Sequence, residues 1–165
     1  MSRVVVLADT HIRRGGRRRL GDDVFAALDG ADAILHAGDV TDPSVLDELA
    51  GFGPVFAVLG NNDVELTGVL PESRSLSIDG LPIAMIHDSG PRAGREGRMA
   101  RRFPQARVVV FGHSHVPHDG LGLGRQVLFN PGSPTDRRGQ PFHTFGVIEV
   151  ADGELVDHRV VRIEG

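Results

Sequence analysis

Aspartate, asparagine and histidine side chains follow five short apolar runs of this sequence, and all three residue types can bind metal ions. The candidates are Asp9 with His11, Asp39, Asn61, His87, and His113 with His115. Each offers an oxygen or nitrogen atom that a divalent ion accepts as a ligand. Open α/β sheets bind their ligands outside the carboxyl ends of their strands. If the apolar runs are strands, the pattern predicts a metal cleft at one edge of a sheet.

Two of these motifs, Asp9-Thr10-His11 and His113-Ser114-His115, place their outer residues two positions apart. Side chains at that spacing point to the same side of an extended backbone, so we expect each motif to present two ligands to one cavity. A glycine precedes the candidates at positions 39, 61 and 113, where it allows a tight turn. A lone Asp-x-His triplet is more often a capping aspartate beside a surface histidine. Five such sites in order favour metal binding over that interpretation.

The elements that would position these residues alternate between apolar runs and helix-like segments in the first half of the chain. We expect strands at Val4–Ala8, Ala33–Ala37 and Val55–Leu59, a helix at Asp22–Leu28, and a helix with Asp42 as N-cap and Pro43 in its first turn. Aspartate is favoured at the N-cap and proline at the first helical position. The βαβαβ order predicts a parallel sheet with helices on its faces.

The second half of the chain has the pattern of antiparallel strands. We expect a hairpin of Ser75–Ile78 and Leu81–Ile86 around Asp79-Gly80, a helix at Arg92–Phe103, strands at Val108–Phe111 and Val127–Phe129, a turn-rich segment at Gly120–Gly124, and a closing hairpin of Phe145–Val150 and Leu155–Val161. Asp-Gly favours a type I′ turn. The expected fold is α/β, with two packed mixed β-sheets flanked by helices (an αββα sandwich) in a single domain spanning residues 1–165.

The composition excludes several kinds of protein. The chain contains no Cys, which excludes disulfides, thiolate metal sites and cysteine nucleophiles. Its formal net charge is −4 and it lacks Trp and Tyr, so we expect no stable complex with nucleic acid. The first apolar run, Val4–Ala8, is too short for a membrane span or the apolar region of a signal peptide. We therefore expect a cytoplasmic protein without membrane contact.

The ordered motifs resemble the calcineurin-like metallophosphoesterase superfamily, whose pattern runs Asp-x-His, Gly-Asp-x-x-Asp, Gly-Asn-His-Asp/Glu, His and Gly-His-x-His. The matching segments are Asp9-Thr10-His11, Gly38-Asp39-Val40-Thr41-Asp42, Gly60-Asn61-Asn62-Asp63, His87, and Gly112-His113-Ser114-His115. The small size and Asn130-Pro131-Gly132-Ser133 resemble the compact bacterial and archaeal phosphodiesterase branch. The sequence leaves open whether this last motif shapes the mouth of the cleft.

The resemblance implies two divalent metal ions. Asp9, His11 and His115 would hold the first, Asn61, His87 and His113 the second, and Asp39 would bridge both. Two ions roughly 3.5–4 Å apart can clamp a phosphoryl group and activate a water molecule. We expect Mn²⁺, with Ni²⁺, Fe²⁺ and Zn²⁺ as alternatives, since mixed nitrogen and oxygen ligation does not select sharply. Asp39, Asn61 and Asn62 would be the catalytic residues, and the substrate a small phosphodiester, with a nucleotide as one option.

Two positions depart from the family pattern. Asn62 stands where the phosphatases of the superfamily carry histidine, and an amide can donate a hydrogen bond but cannot protonate a leaving oxygen. Asp88 follows His87 where the family usually has glycine, which places an extra carboxylate near the second metal. The loop Arg13–Arg19 would either steer an anionic substrate or be a solvated loop. His36 is expected to be a core residue.

Other functions remain open alternatives to a phosphodiesterase. One is a phosphomonoesterase of the same fold. Another is a non-catalytic, protein-binding scaffold similar to the retromer subunit Vps29, whose metal ligand set is incomplete, whereas all seven positions are filled here. A regulatory nucleotide-binding protein is a third. The native metal, the physiological substrate and the oligomeric state, including a homo-oligomer, are not determined by the sequence.

Overall fold

In the computed structural model, which describes residues 1–164, ten strands form two five-stranded β-sheets. The strands are β1 (Ser2–Leu7), β2 (Ala33–His36), β3 (Val55–Ala57), β4 (Ser73–Ile78), β5 (Leu81–Ile86), β6 (Val108–Val110), β7 (His118–Leu121), β8 (Val127–Asn130), β9 (His143–Ala151) and β10 (Glu154–Ile163). The α-helices are α1 (Asp22–Asp29), α2 (Ser44–Ala50) and α3 (Arg95–Arg102).

The first sheet has the strand order β10-β9-β1-β2-β3. Strands β1, β2 and β3 are parallel, which confirms the βαβαβ prediction, and β9 and β10 add an antiparallel edge. The N-terminus of α2 lies one residue later than expected, with Pro43 in the cap position. Asp42 still satisfies a free helical amide, because its Oδ1 accepts a hydrogen bond from the N–H of Ser44 at 3.0 Å.

The second sheet has the order β4-β5-β6-β8-β7. Its first hairpin turns at Asp79 and Gly80, whose φ values of 49° and 80° are left-handed as a type I′ turn requires. Helix α3 begins at Arg95, later than predicted. The turn-rich assignment at residues 120–124 is partly wrong, because Gly120 belongs to β7 and pairs with Leu128 of β8. Pairing with the next strand, β8, extends the start of this glycine-rich segment, although its composition does not favour a strand.

The packed layers confirm the predicted αββα sandwich. Apolar residues of the two sheets, such as Val6 and Phe129, pack between them, and both are fully buried. Helices α1 and α2 cover the outer face of the first sheet, and α3 covers that of the second. A Cβ atom at Gly146 would overlap the Phe129 ring, so glycine is required where the sheets approach. Within residues 1–164, no helix is long and apolar enough to cross a membrane.

Candidate metal centre

The loops that follow β1, β2, β3, β5 and β6 converge at one edge of the sandwich. Backbone hydrogen bonds tie them together: the N–H of Asp9 donates to Gly38 O at 2.9 Å, and the N–H of His11 donates to Asp39 O at 3.0 Å. The loop after β6 joins the loop after β5 in the same way, since the N–H of Gly112 donates to His87 O at 2.9 Å. These bonds join the loop of Asp9 and His11 to that of Asp39, and the loop of His87 to that of His113 and His115.

The backbone of the two short ligand motifs differs from the expectation. Asp9 and His11 have φ values of 54° and 46°, and His113 and His115 have 74° and 62°. These residues are left-handed, so the expectation of extended backbone is wrong, although each motif still directs two side chains to the site. Non-glycine residues in this region each cost on the order of 1–3 kcal/mol, and such strain is concentrated at functional sites.

One group of buried ligand atoms comes from Asp9, His11 and His115, and these atoms lie within 4.8 Å of one another. The Nε2 atoms of His11 and His115 are 3.9 and 3.7 Å from Asp9 Oδ1. Both oxygens of Asp9 and both of these nitrogens are buried without a hydrogen-bond partner. An unpaired buried polar atom is costly. Two ring nitrogens and a carboxylate facing one point are a donor set that fits a divalent cation.

Asp39 lies between this first group and a second one. Its Oδ2 is 3.3 Å from His11 Nε2 and 3.4 Å from His87 Nε2. Asn61 Oδ1 is 3.0 Å from His87 Nε2 and 3.2 Å from His113 Nδ1. The first group is buried, whereas Asn61 and His113 are exposed. The site is therefore closed on the Asp9 side and open to solvent on the Asn61 side, and Asp39 lies between the two sides.

The ring nitrogens of two ligand candidates have a defined protonation. His87 Nδ1 is 2.7 Å from Ala37 O, and His115 Nδ1 bonds to Asp136 O. Because a carbonyl oxygen can only accept, each Nδ1 carries the proton, and each Nε2 is directed into the site. The Nε2 of His87 then faces two oxygen acceptors, on Asp39 and Asn61. The nitrogen of His87 and the two oxygens can all be paired only if a proton or a cation lies between them. This arrangement is a second feature that fits a metal ion.

The charges of the site interact strongly. Burial raises the pKa of Asp9 to about 7, helped by the negative charge of Asp39 and opposed by His87 and His11. Burial would also raise the pKa of Asp39, but the rings of His11 and His87 beside its carboxylate and the N–H of Asn62 hold that pKa well below its usual range. For His87, burial acts to lower the pKa, while the hydrogen bond and charge of Asp39 raise it above the ordinary value. The site therefore favours positive charge next to Asp39.

Asn62 contacts Asp39 with both its backbone and its side chain. Its N–H donates to Asp39 Oδ1 at 2.8 Å, and its Nδ2 donates to Asp39 Oδ2 at 2.9 Å. Gly60 allows this close approach, because a Cβ atom there would overlap the Asp39 carboxylate.

Asp88, the other departure from the family pattern, is exposed, and its Oδ2 lies 4.0 Å from His113 Nε2. Asp88 is thus a neighbour of the open side of the site.

The carboxylate of Asp63 ties two ligand loops together, a role that was not inferred from the sequence. It is buried and accepts hydrogen bonds from the N–H groups of Asp39 at 2.9 Å, Thr41 at 2.7 Å and Gly60 at 2.8 Å. Asp63 was visible in the sequence as the last residue of the Gly-Asn-Asn-Asp motif, which is the one signal that could have identified it. Its three bonds hold the Asp39 loop against the Asn61 loop.

The segment Ser133–Asp136 supports the Asp9 side of the site. Ser133 is buried, and its Oγ donates to Asp9 O at 2.7 Å, while the hydroxyl of Thr135 donates to Thr10 O. Asp136 O accepts from the His115 ring, as described above. Ser133 itself therefore does not shape the mouth of the cleft, because it is buried beneath the ligand loop, where it holds the strained backbone of that loop.

A buried histidine links two of the ligand loops from below. His36 is fully buried, as predicted, and burial lowers its pKa to about 3, so the ring is neutral. Its Nδ1 accepts from the N–H of Gly38 at 3.1 Å. The proton is therefore on Nε2, which donates to Thr10 Oγ1 at 3.0 Å. His36 thus connects the Asp9 loop to the Asp39 loop without adding charge.

Comparisons with known proteins agree with this site. A model of the calcineurin-like phosphoesterase superfamily domain matches residues 2–153. The chain is 36% identical over 160 residues to a probable metallophosphoesterase of Methanothermobacter thermautotrophicus, covering 95% of this chain and 90% of that protein. Its fold is similar to wild-type Vps29 of Entamoeba histolytica complexed with zinc, with a TM-score of 0.77 and 20% identity over 98% of each chain. YfcE, a phosphoesterase from E. coli, is similar with a TM-score of 0.63 and 20% identity, covering 95% of this chain and 98% of that one.

Proposed function

We propose, from the premise that this chain belongs to the calcineurin-like phosphoesterase superfamily, that it hydrolyses phosphodiesters with the help of two divalent metal ions. Membership supports a metal-dependent hydrolase of phosphoric esters. The preference for diesters and the pair of metals are the finer parts of the proposal. They rest on the geometry around Asp39 and on the residue at position 62.

The observation that carries the metal part is the unpartnered state of buried ligand atoms. Asp9 offers two oxygens, and His11 and His115 offer one nitrogen each, none of them hydrogen-bonded. Asp39 lies between these atoms and His87, so it is in position to contact ions on both sides. Bound divalent ions supply charge neutralisation at the phosphoryl oxygens and lower the pKa of a bound water. His87 and His115, whose Nδ1 atoms donate to carbonyl oxygens, keep their Nε2 lone pairs available for this role.

The residue at position 62 supports a diester substrate. In hydrolysis the oxygen of water bonds to phosphorus, the bond from phosphorus to the leaving oxygen breaks, and that oxygen needs a proton unless it is a stable anion. The Asn62 amide cannot supply a proton, and its Nδ2 is already directed at Asp39. General-acid help of about 10²–10⁴-fold is therefore missing at this position. Substrates with stable leaving anions, such as aryl diesters, should be favoured over alkyl monoesters.

The ligand chemistry sets an order of expected metals. The candidate set combines four histidine nitrogens with oxygens of two aspartates and one asparagine, and no thiolate. Such a mixed set suits Mn²⁺, with Ni²⁺, Fe²⁺ and Zn²⁺ as alternatives. Asp9 and the histidines must be deprotonated to act as ligands, so metal binding should release protons and strengthen as the pH rises.

A non-catalytic scaffold is the second candidate. It is favoured by the similarity to Vps29 of Entamoeba histolytica, whose structure is a zinc complex. Metal binding alone therefore does not separate an enzyme from a scaffold of this fold. Turnover does separate them, because a scaffold can be fully loaded with metal and still hydrolyse nothing.

The test uses protein stripped with a chelator and refilled with each candidate ion. Hydrolysis of bis(p-nitrophenyl) phosphate, p-nitrophenyl phosphate and a cyclic nucleotide is measured beside the metal content per chain. We expect two ions per chain and faster hydrolysis of the diester than of the monoester. A metal content that stops at one ion would overturn the two-metal proposal. Full loading without turnover of any ester would favour the scaffold.

A further inference from the structure

Two clefts open on opposite sides of the candidate metal centre and meet at Asn61. One has a volume of about 360 Å³ and is lined by Asn61 and Asn62 together with residues of the loops that follow β1 and β2. The other has a volume of about 300 Å³ and is lined by Asn61, His87 and His113. Clefts of this size hold small organic molecules. A phosphate bound at the metals could therefore carry a substituent into each cleft.

The first cleft, which we call the arginine cleft, is lined by Arg13, Arg14, Thr41, Asp42, Asn61, Asn62, Val64 and Glu65. Arg14 lies 4.0 Å from Asp42 and 3.7 Å from Glu65, so its guanidinium group is directed at these two carboxylates. In the described residues no carboxylate lies within 4.0 Å of the Arg13 guanidinium group, so Arg13 is the arginine of this cleft that has no ion-pair partner. Val64, at the lip, is 80% exposed and offers an apolar surface to a bound group.

The second cleft has a different lining. Ile86 and Leu59 form an apolar part of its wall, and the charged groups Glu72, Asp88 and Arg102 surround it. Two acidic residues against one arginine make this cleft less favourable for a negatively charged group than the arginine cleft. The two clefts therefore differ in the kind of substituent that each can accept.

We propose that the substrate is a phosphodiester with two bulky arms, and that the arginine cleft binds a nucleoside-sized arm that carries its own phosphate. This inference rests on the proposed phosphodiesterase function. Arg13 donates paired hydrogen bonds to the additional phosphate, a geometry that suits a guanidinium group. Val64 packs against the sugar or ring of the same arm. A monoester, or a diester with a methyl arm, leaves one of the clefts without a ligand.

The experiment compares three p-nitrophenyl diesters that share one leaving group. Their second arms are a methyl group, thymidine attached through its 5′ oxygen, and the same thymidine with an additional 3′-phosphate. In each, the P–O bond to p-nitrophenolate breaks as the oxygen of water bonds to phosphorus, and the proton of water is released to solvent. Because the leaving group is constant, differences in kcat/KM report on the second arm.

Two variants test the cleft, each with a matched control. Arg13→Gln removes the charge of this arginine, and Arg17→Gln is its control, because Arg17 is exposed on the same loop but lines neither cleft. Val64→Trp narrows the cleft at its lip, and Val69→Trp is its control, because Val69 is 70% exposed and also lines neither cleft. All four positions are exposed, so none of the changes should impair folding.

We expect the wild-type protein to prefer the thymidine diesters over the methyl diester, and the phosphorylated thymidine diester most. Arg13→Gln should lower kcat/KM for the phosphorylated substrate by about fivefold, as for a single solvent-exposed ion pair, while the other two substrates are unaffected. Val64→Trp should slow both thymidine diesters more than the methyl diester. The two controls should behave as wild type.

The outcomes separate this inference from the function on which it rests. If the metal-loaded wild type hydrolyses none of the three diesters, the phosphodiesterase proposal fails. If it hydrolyses all three equally, or if Arg17→Gln has the same effect as Arg13→Gln, the enzyme stands and the assignment of the arginine cleft is wrong. An effect of Val64→Trp without one of Arg13→Gln would refute the charged arm.

Discussion

Replacing Asp9 with asparagine should stabilise the metal-free protein at alkaline pH, although it removes a proposed metal ligand. Asp9 is fully buried, and neither of its carboxylate oxygens has a hydrogen-bond partner. Burial raises its pKa from 3.8 to about 7, which means that the folded protein disfavours the ionised form. Asparagine has nearly the same shape and carries no charge. The variant therefore avoids the ionised carboxylate that the wild type must contain at alkaline pH.

The size of the effect follows from the shift in pKa. With a pKa raised from 3.8 to about 7, Asp9 lowers the free energy of unfolding by about 4 kcal/mol above pH 7, at about 1.4 kcal/mol per pH unit. Because the folded-state pKa is the higher one, no stability is lost below pH 3.8, and the loss accumulates as the pH rises through about 7. About half of this loss of unfolding free energy is present at about pH 5.5, and all of it at about pH 8.5. In the variant, burying the side-chain amide without hydrogen-bond partners lowers the free energy of unfolding by about 1–3 kcal/mol at either pH.

Thermal unfolding of chelator-treated protein, followed by circular dichroism, measures this difference. The advantage of Asp9→Asn over wild type should grow by about 2 kcal/mol between about pH 5.5 and about pH 8.5. For a domain of this size that is a change of about 4–8 °C in relative Tm. Mn²⁺ should then raise the Tm of the wild type more than that of the variant, which keeps the ligands of the second ion only.

The exposed Asp29, at the end of α1, supplies the control Asp29→Asn, which should show no such dependence on pH. The reasoning would be refuted if metal-free Asp9→Asn melted below the wild type by the same amount at both values of pH. That result would mean that the carboxylate of Asp9 is already compensated without a metal ion.

Three further predictions concern other residues of the site. Asp39→Ala should abolish turnover and reduce the metal content below two ions per chain while the circular dichroism spectrum is kept; activity equal to wild type would remove Asp39 from the centre. Asn62→His should raise kcat/KM for alkyl monoesters relative to aryl diesters by part of the roughly 10²–10⁴-fold that a general acid contributes, and an unchanged ratio would argue against position 62 facing the leaving group. Ser133→Ala should raise the Mn²⁺ concentration needed for half-maximal activity, because the hydroxyl that holds Asp9 O is lost. Its loss should also cost about 1 kcal/mol of stability; a metal titration that matched wild type would limit Ser133 to a role in stability.

Much of the fold was accessible from local patterns. The β-branched run of β1 and the Asp-Gly turns at Asp79 and Asp152 predicted elements that the structure contains, because strand burial and left-handed turns depend on a few neighbouring residues. The Gly120 segment was misassigned because its glycines favour turns. Gly120 lies in a strand because β8, the next strand along the chain, supplies its hydrogen-bond partners, and the composition of residues 120–124 does not indicate this pairing.

The sequence by itself determined the identity and order of the candidate metal ligands, since each follows a recognisable strand and carries a suitable donor atom. Only the tertiary structure decided how they are held. Asp63 bonds to Asp39, 24 residues away, and Ser133 bonds to Asp9, 124 residues away. The left-handed backbone of Asp9 and His11 and the two clefts that meet at Asn61 likewise arise where separate loops meet. Ligand type is a property of one residue, whereas position and access depend on how the two sheets bring distant loops together.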